Sequence, residues 1–120
     1  MTVRRLSLRV PGTPEHLTIL RSFAGALGRV LGATSSEIDD LKLAVTELAT
    51  AALPVAPASP RQVGTELTLE VFDGSDGPYL RVGGSSSPSL SAATRELLAS
   101  LYQARGWIAE DPWLIRLPTG

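Results

Sequence analysis

Residues 3–10 alternate in polarity, with Leu6, Leu8 and Val10 on one side and Arg5, Ser7 and Arg9 on the other. A period of two with one apolar face predicts a half-buried strand, and Pro11-Gly12 ends it. Thr13-Pro14-Glu15 has the chemistry of a helix start: a hydroxyl for orphan amides, a proline at the first helical position and an acid at the positive dipole end. Leu17, Leu20, Ala24, Leu27 and Leu31 follow at spacings of three and four, which predicts an amphipathic helix ending near Gly32. Thr34-Ser35-Ser36-Glu37 offers several caps for a second helix, of which Ser36, with Asp39 and Asp40 in the first turn, is the favoured start. Its apolar stripe is Ile38, Leu41, Val45, Leu48 and Ala52, and Pro54 forces it to finish near Leu53.

Residues 54–63 hold three prolines and little periodicity, so they read as a surface loop. Alternation returns at 65–72, where Leu67, Leu69 and Val71 face one way and Glu66, Thr68 and Glu70 the other. Asp73-Gly74-Ser75-Asp76-Gly77-Pro78 is turn chemistry, and residues 79–82 are the returning strand of a hairpin. After a glycine- and serine-rich stretch over 83–88, a third helix begins at Ser89 or Ser91 and runs to Arg105. Leu90, Ala93, Leu97, Leu98 and Leu101 are its expected core face and Gly106 its cap. A short last strand spans 113–117, stopped by Pro118. The order is strand, helix, helix, strand, strand, helix, strand. Two layers satisfy every apolar stripe, so the expected fold is one α+β domain over 1–120: a two-layer α/β sandwich with a mostly antiparallel sheet and helices on one face.

Composition narrows the chemistry. Eleven Lys+Arg against twelve Asp+Glu leave a formal charge of −1, which argues against a generic electrostatic grip on nucleic acid. With no cysteine, a disulfide framework, a thiolate zinc site and a cysteine nucleophile are excluded. The single histidine, His16, cannot alone supply a histidine-based metal cluster; capping or exposure at a helix start is its commoner role. No stretch approaches the ~18 apolar residues of a membrane span, and the N-terminal residues lack the apolar core of a secretory signal. A cytoplasmic protein with no membrane contact is the expectation.

The string LKLAVTELATAAL at 41–53 resembles the motif helix of the histidine-kinase-like (GHKL) ATPases, and in particular the small anti-sigma-factor serine kinases of bacteria. The first strand, the proline-led helix with Arg21, the Gly-Ala-Thr loop and Asp39-Asp40 fit the same layout, which that family folds as a Bergerat-type sandwich. The likeness covers nearly the whole chain in element order and is specific over residues 6–53. In the family this helix carries a glutamate that acts as general base and, four residues on, an asparagine that holds Mg²⁺. Spacing of four puts both on one face. Glu47 matches the glutamate and is the candidate catalytic residue; Ala51 stands where the asparagine belongs, and a methyl group cannot ligate a hard cation.

Two more family motifs are missing. An Asp-x-Gly-x-Gly turn, whose aspartate reads adenine, should follow the hairpin; Gly83-Gly84-Ser85-Ser86-Ser87 stands there, and the similar Asp73-Gly74-Ser75-Asp76-Gly77 comes one strand early. The glycine-rich lid that cradles phosphates is replaced by Ala92-Ala93-Thr94-Arg95-Glu96-Leu97. The resemblance therefore implies a family member that has lost ATP, with no metal or nucleotide, whose Glu47 is vestigial or simply a solvated helix carboxylate. What remains is a non-catalytic regulator that binds a protein such as a sigma factor or an anti-sigma antagonist; the resemblance also implies a homodimer. The alternative is an active ATP- and Mg-dependent anti-sigma-factor serine kinase with divergent motifs, and a third reading is a structural module whose old pocket is filled by side chains. Arg21 and Arg29, about 80° apart around the first helix at ~100° per residue, and Trp107 are the candidate partner contacts. Tryptophan is enriched at binding hot spots, and a core role closing the sheet edge stands beside that reading for Trp107.

Overall fold

The computed structural model describes residues 3–53, 66–74, 77–84, 90–107 and 114–116. Its elements are β1 (Val3–Pro11), a 3-10 turn (Pro14–His16), α1 (Leu17–Val30), α2 (Ser35–Ala52), β2 (Glu66–Gly74), β3 (Gly77–Gly84), α3 (Ala92–Arg105) and β4 (Leu114–Arg116). The strands form a sheet in the order β1-β2-β3-β4, and every neighbouring pair is antiparallel. The expected α+β sandwich is therefore present, with its predicted element order. The loop over 54–63, the serine-rich stretch after Gly84, Trp113 and the end of the last strand lie outside the described residues.

Register explains the layering. Leu8 pairs with Leu69 and Leu69 with Val82; Val71 pairs with Leu80 and Leu80 with Ile115. Residues directly opposite across strands share a face, so these side chains form one apolar surface. Leu67, Leu69, Val71, Leu80 and Ile115 are wholly buried there, clustered with Leu20, Ala24, Val45, Leu48 and Leu98 of the helices. Leu6 was expected on this face too, but at 45% exposure it stands at the open margin of edge strand β1.

Helix termini follow local chemistry, with two departures from expectation. Thr34, not Ser36, caps α2: its hydroxyl accepts from the Glu37 N–H at 3.2 Å, and the Glu37 carboxylate accepts from the Thr34 N–H at 3.0 Å. This reciprocal capping box satisfies two orphan amides, which a start at Ser36 would forgo. Thr13 makes no side-chain cap; its hydroxyl shares a 2.6 Å hydrogen bond with His16 Nδ1, and α1 starts only after the 3-10 turn. The C-termini match expectation. Gly32 and Gly106 adopt φ of +80° and +69°, and Ala33 and Trp107 donate to Gly28 and Tyr102 carbonyls at 2.9 Å. Those are the backbone bonds of a left-handed glycine cap.

The α3 face is rotated from the expected one. Leu98 and Tyr102 are buried and Leu101 is partly buried, whereas Ala93 is exposed and Leu97 is 42% exposed. Tyr102 and Trp107 pack with ring centroids 6.2 Å apart, and this aromatic pair draws the 98–101–102 line inward. Arg105, at the end of the same line, forms an ion pair with Asp40 and donates to Ser36 Oγ, tying the last turn of α3 to the first turns of α2.

The Thr34–Glu37 box carries a stability prediction. Thr34→Ala is expected to lower unfolding free energy by about 1 kcal/mol, read as a reduced denaturant midpoint. Hydrogen bonds from Thr34, first the backbone and then the side chain, hold the Glu37 carboxyl below its ordinary value of 4.5, with Arg105 adding in the same direction. A depressed folded value stabilises the native state above the unfolded value, and that contribution is lost as pH falls through the folded one. The stability difference between the native chain and Glu37→Gln should therefore be full near neutrality and shrink below about pH 4.5.

Candidate functional site

Helix α2 is where sequence resemblance places the chemistry, and its two flanks differ. Ile38, Leu41, Ala44, Val45, Leu48, Ala49 and Ala52 are buried against the sheet and the other helices. The neighbouring flank carries Leu43, Glu47 and Ala51, one turn apart. Leu43 is 39% exposed and Glu47 is half-buried, while Ala51 is partly buried and packed against the core. The i and i+4 positions are brought together as expected, and they present one carboxylate and one methyl.

The other polar groups nearby are committed to the helix. Thr46 Oγ1 donates to the Lys42 carbonyl and Thr50 Oγ1 to the Thr46 carbonyl, both at 2.7 Å. Such back-bonding turns a hydroxyl toward its own backbone, so neither extends the donor set of Glu47. The Glu47 side chain has no hydrogen bond or ion pair among the described residues. No group of three or more His, Asp or Glu side chains that could hold a metal occurs among the described residues. Hard cations take oxygen ligands, and Ala51 has none to give.

In the hairpin, Asp73 lies at the turn end and not at the Gly83-Gly84 end where the resemblance places its aspartate. Asp73 pairs with Pro78 beside the turn, whereas Gly83 and Gly84 pair with Thr68 and Leu67 at the opposite end of β3. Five residues of strand, roughly 17 Å, separate Pro78 from Gly83. At the start of α3 the Ser91 hydroxyl accepts from the Thr94 N–H at 3.2 Å, capping the turn with a side chain.

Of the expected partner contacts, Arg21 and Arg29 are exposed on α1 and make no hydrogen bond or ion pair among the described residues through their side chains. Trp107 is 6% exposed and belongs to the core cluster, and its indole Nε1 is buried without a hydrogen-bond partner among the described residues. His16 is half-buried and bonded to Thr13. The Arg105 clasp on Asp40 and Ser36 was not foreseen; its signal was limited to a basic residue in the last turn of α3 and an acid in the first turns of α2. Among the described residues, no helix is long and apolar enough to cross a membrane.

No protein-family model matches the chain, and no curated protein matches its sequence.

Proposed function

We propose that the chain is a non-catalytic, protein-binding regulator of the anti-sigma-factor type, built on a GHKL-like domain that no longer uses ATP. The observation that carries this reading is Ala51: four residues beyond Glu47 on α2, it packs its methyl against the core where the family needs an oxygen ligand. Phosphoryl transfer depends on positioning and on metal neutralisation of charge, so a site without the metal ligand loses both. The displaced Asp73 and the glycine-free start of α3 support the same reading. Binding then falls to surface contacts, and Arg21 and Arg29 on α1, exposed and without a side-chain partner among the described residues, are placed to meet a protein such as a sigma factor or its antagonist. The setting for that activity is the bacterial cytoplasm.

A thermal-shift series tests it. A ligand that binds only the native state raises stability by RT ln(1 + [L]/Kd), about 2.7 kcal/mol at a hundredfold excess over Kd. Increasing Mg-ATP should leave the melting temperature unchanged, and Ala51→Asn alone should not create a shift, because the adenine and phosphate contacts would still be missing. A melting temperature that climbs with Mg-ATP would establish the kinase reading instead.

A further inference from the structure

Helices α1 and α3 have the same length, 14 residues, but not the same hold on the fold. Leu20, Ala24, Gly25, Leu27 and Gly28 of α1 are buried, against Leu98 and Tyr102 of α3. Ala93, Leu97, Ala99 and Ala104 of α3 are exposed, and Leu101 is partly buried. Apolar burial is the main force that keeps a helix docked, so α3 is docked by the smaller share of it. At its end the Trp107 indole Nε1 is buried with no hydrogen-bond partner among the described residues. An unmade bond in the interior costs free energy, which water returns when the helix end lifts. Arg105 works in the other direction. Its guanidinium donates through Nε to Asp40 and through a terminal nitrogen to Ser36 Oγ, and its charge also acts on Glu37. One side chain thus bridges the last turn of α3 to the first turns of α2. The Arg105 and Asp40 side chains are 24% and 29% exposed, which leaves their pair within reach of solvent ions.

We infer that α3 is a separately opening unit of this domain, latched to α2 by the Arg105 side chain. Proteins open in cooperative pieces, and a segment with few buried apolar side chains opens before the core does. The packing that remains does not run through α3. Strands β1, β2 and β3 pair along their length, and α1 meets α2 at Gly25 and Gly28. Opening gives up the burial of Leu98 and Tyr102 and the Arg105 bonds, and it frees the orphan indole N–H to meet water. A partly exposed charge pair is weakened by salt, so the latch loosens as ionic strength rises. The device lies in the packing of α3 on α2, and the inference stands whether or not the chain binds ATP.

The test is native-state hydrogen exchange, read amide by amide. In the unmodified chain the N–H groups of Leu98, Leu101 and Tyr102, corrected for intrinsic rates, should exchange at least about a hundredfold faster than those of Leu48, Leu69 and Leu80. Arg105→Ala should speed the α3 amides by a further three- to tenfold, roughly the worth of a charge-assisted bond that is partly exposed. Asp40→Asn should act in the same direction, and the double variant should fall short of the product of the two, because both remove one pair. Rising salt should speed α3 exchange in the unmodified chain and do so much less in Arg105→Ala. Val10→Ala, on the strand at the other edge of the sheet from β4, should speed Leu48, Leu69 and Leu80 and leave α3 unchanged, since β1 keeps its packing while α3 is open. Circular dichroism of each variant establishes that the fold is kept. Exchange of α3 in step with Leu48, Leu69 and Leu80, an equal response of α3 to Val10→Ala, no response of α3 to Arg105→Ala, or the same salt response with and without Arg105 would each overturn the inference.

Discussion

Leu48→Ala should be among the most damaging single changes in this protein, lowering unfolding free energy by about 3–4 kcal/mol. Leu48 is wholly buried at the middle of α2, in the cluster that joins Leu20 and Ala24 of α1, Leu98 of α3 and the sheet residues Leu69 and Leu80. Truncation removes the transfer free energy of the missing atoms and leaves a cavity that neighbours on three elements cannot all fill. Alanine is a better helix former than leucine, but that difference is a few tenths of a kcal/mol and does not offset the cavity. Against a typical total of about 5–15 kcal/mol, the loss should appear as a large fall in the urea midpoint with little change in slope. A change below about 1 kcal/mol would mean that Leu48 is not at the centre of the core.

Gly28→Leu should destabilise by about 2 kcal/mol, and the neighbouring Gly25→Ala should not. Both glycines lie where α1 packs on α2. A Cβ at Gly28 would sit 2.9 Å from Ile38 Cγ1 and 3.6 Å from Leu41 Cδ2, both core side chains of α2. Neither can swing into solvent, so a larger side chain must push the helices apart, and overpacking costs about 1–3 kcal/mol. At Gly25 the contact is 2.5 Å to Lys42 Cε, the far end of a flexible side chain. Lysine can move aside, and replacing a mid-helix glycine by alanine contributes about 0.5–1 kcal/mol in the stabilising direction. Parallel denaturant melts of the two variants should therefore shift in opposite directions. A shift of the same sign and size would mean that α1 and α2 do not meet at this glycine pair as described.

The fold was readable where a single period dominated. Leu67, Leu69 and Val71 alternate with polar residues and are all fully buried, and every member of the predicted α2 stripe is buried. The α3 face was harder, because adjacent Leu97 and Leu98 let the stripe be drawn through either; the Tyr102–Trp107 packing decides it, and that contact crosses the helix end. Ser36 and Thr34 have similar capping chemistry, and only the match of Thr34 to Glu37 three residues on separates them. At the candidate site, spacing alone placed Glu47 and Ala51 together on α2. It could not show that Ala51 packs into the core or that Trp107 is buried, since both depend on contacts between distant elements. Cross-strand neighbours were hidden for the same reason: alternation assigns each residue a face, but only register sets Arg81 opposite Glu70 and Tyr79 opposite Phe72.

Isothermal titration calorimetry of the unmodified protein with Mg-ATP tests the proposed loss of nucleotide binding most directly, with Glu47→Ala titrated beside it. The expected result is a heat of injection no larger than dilution for both proteins, because α2 offers one carboxylate and a core-packed methyl where a bound magnesium nucleotide needs a second oxygen ligand. A saturable heat in the unmodified protein that disappears in Glu47→Ala would contradict this, and would make the chain an ATP-binding kinase whose metal and adenine contacts come from other residues.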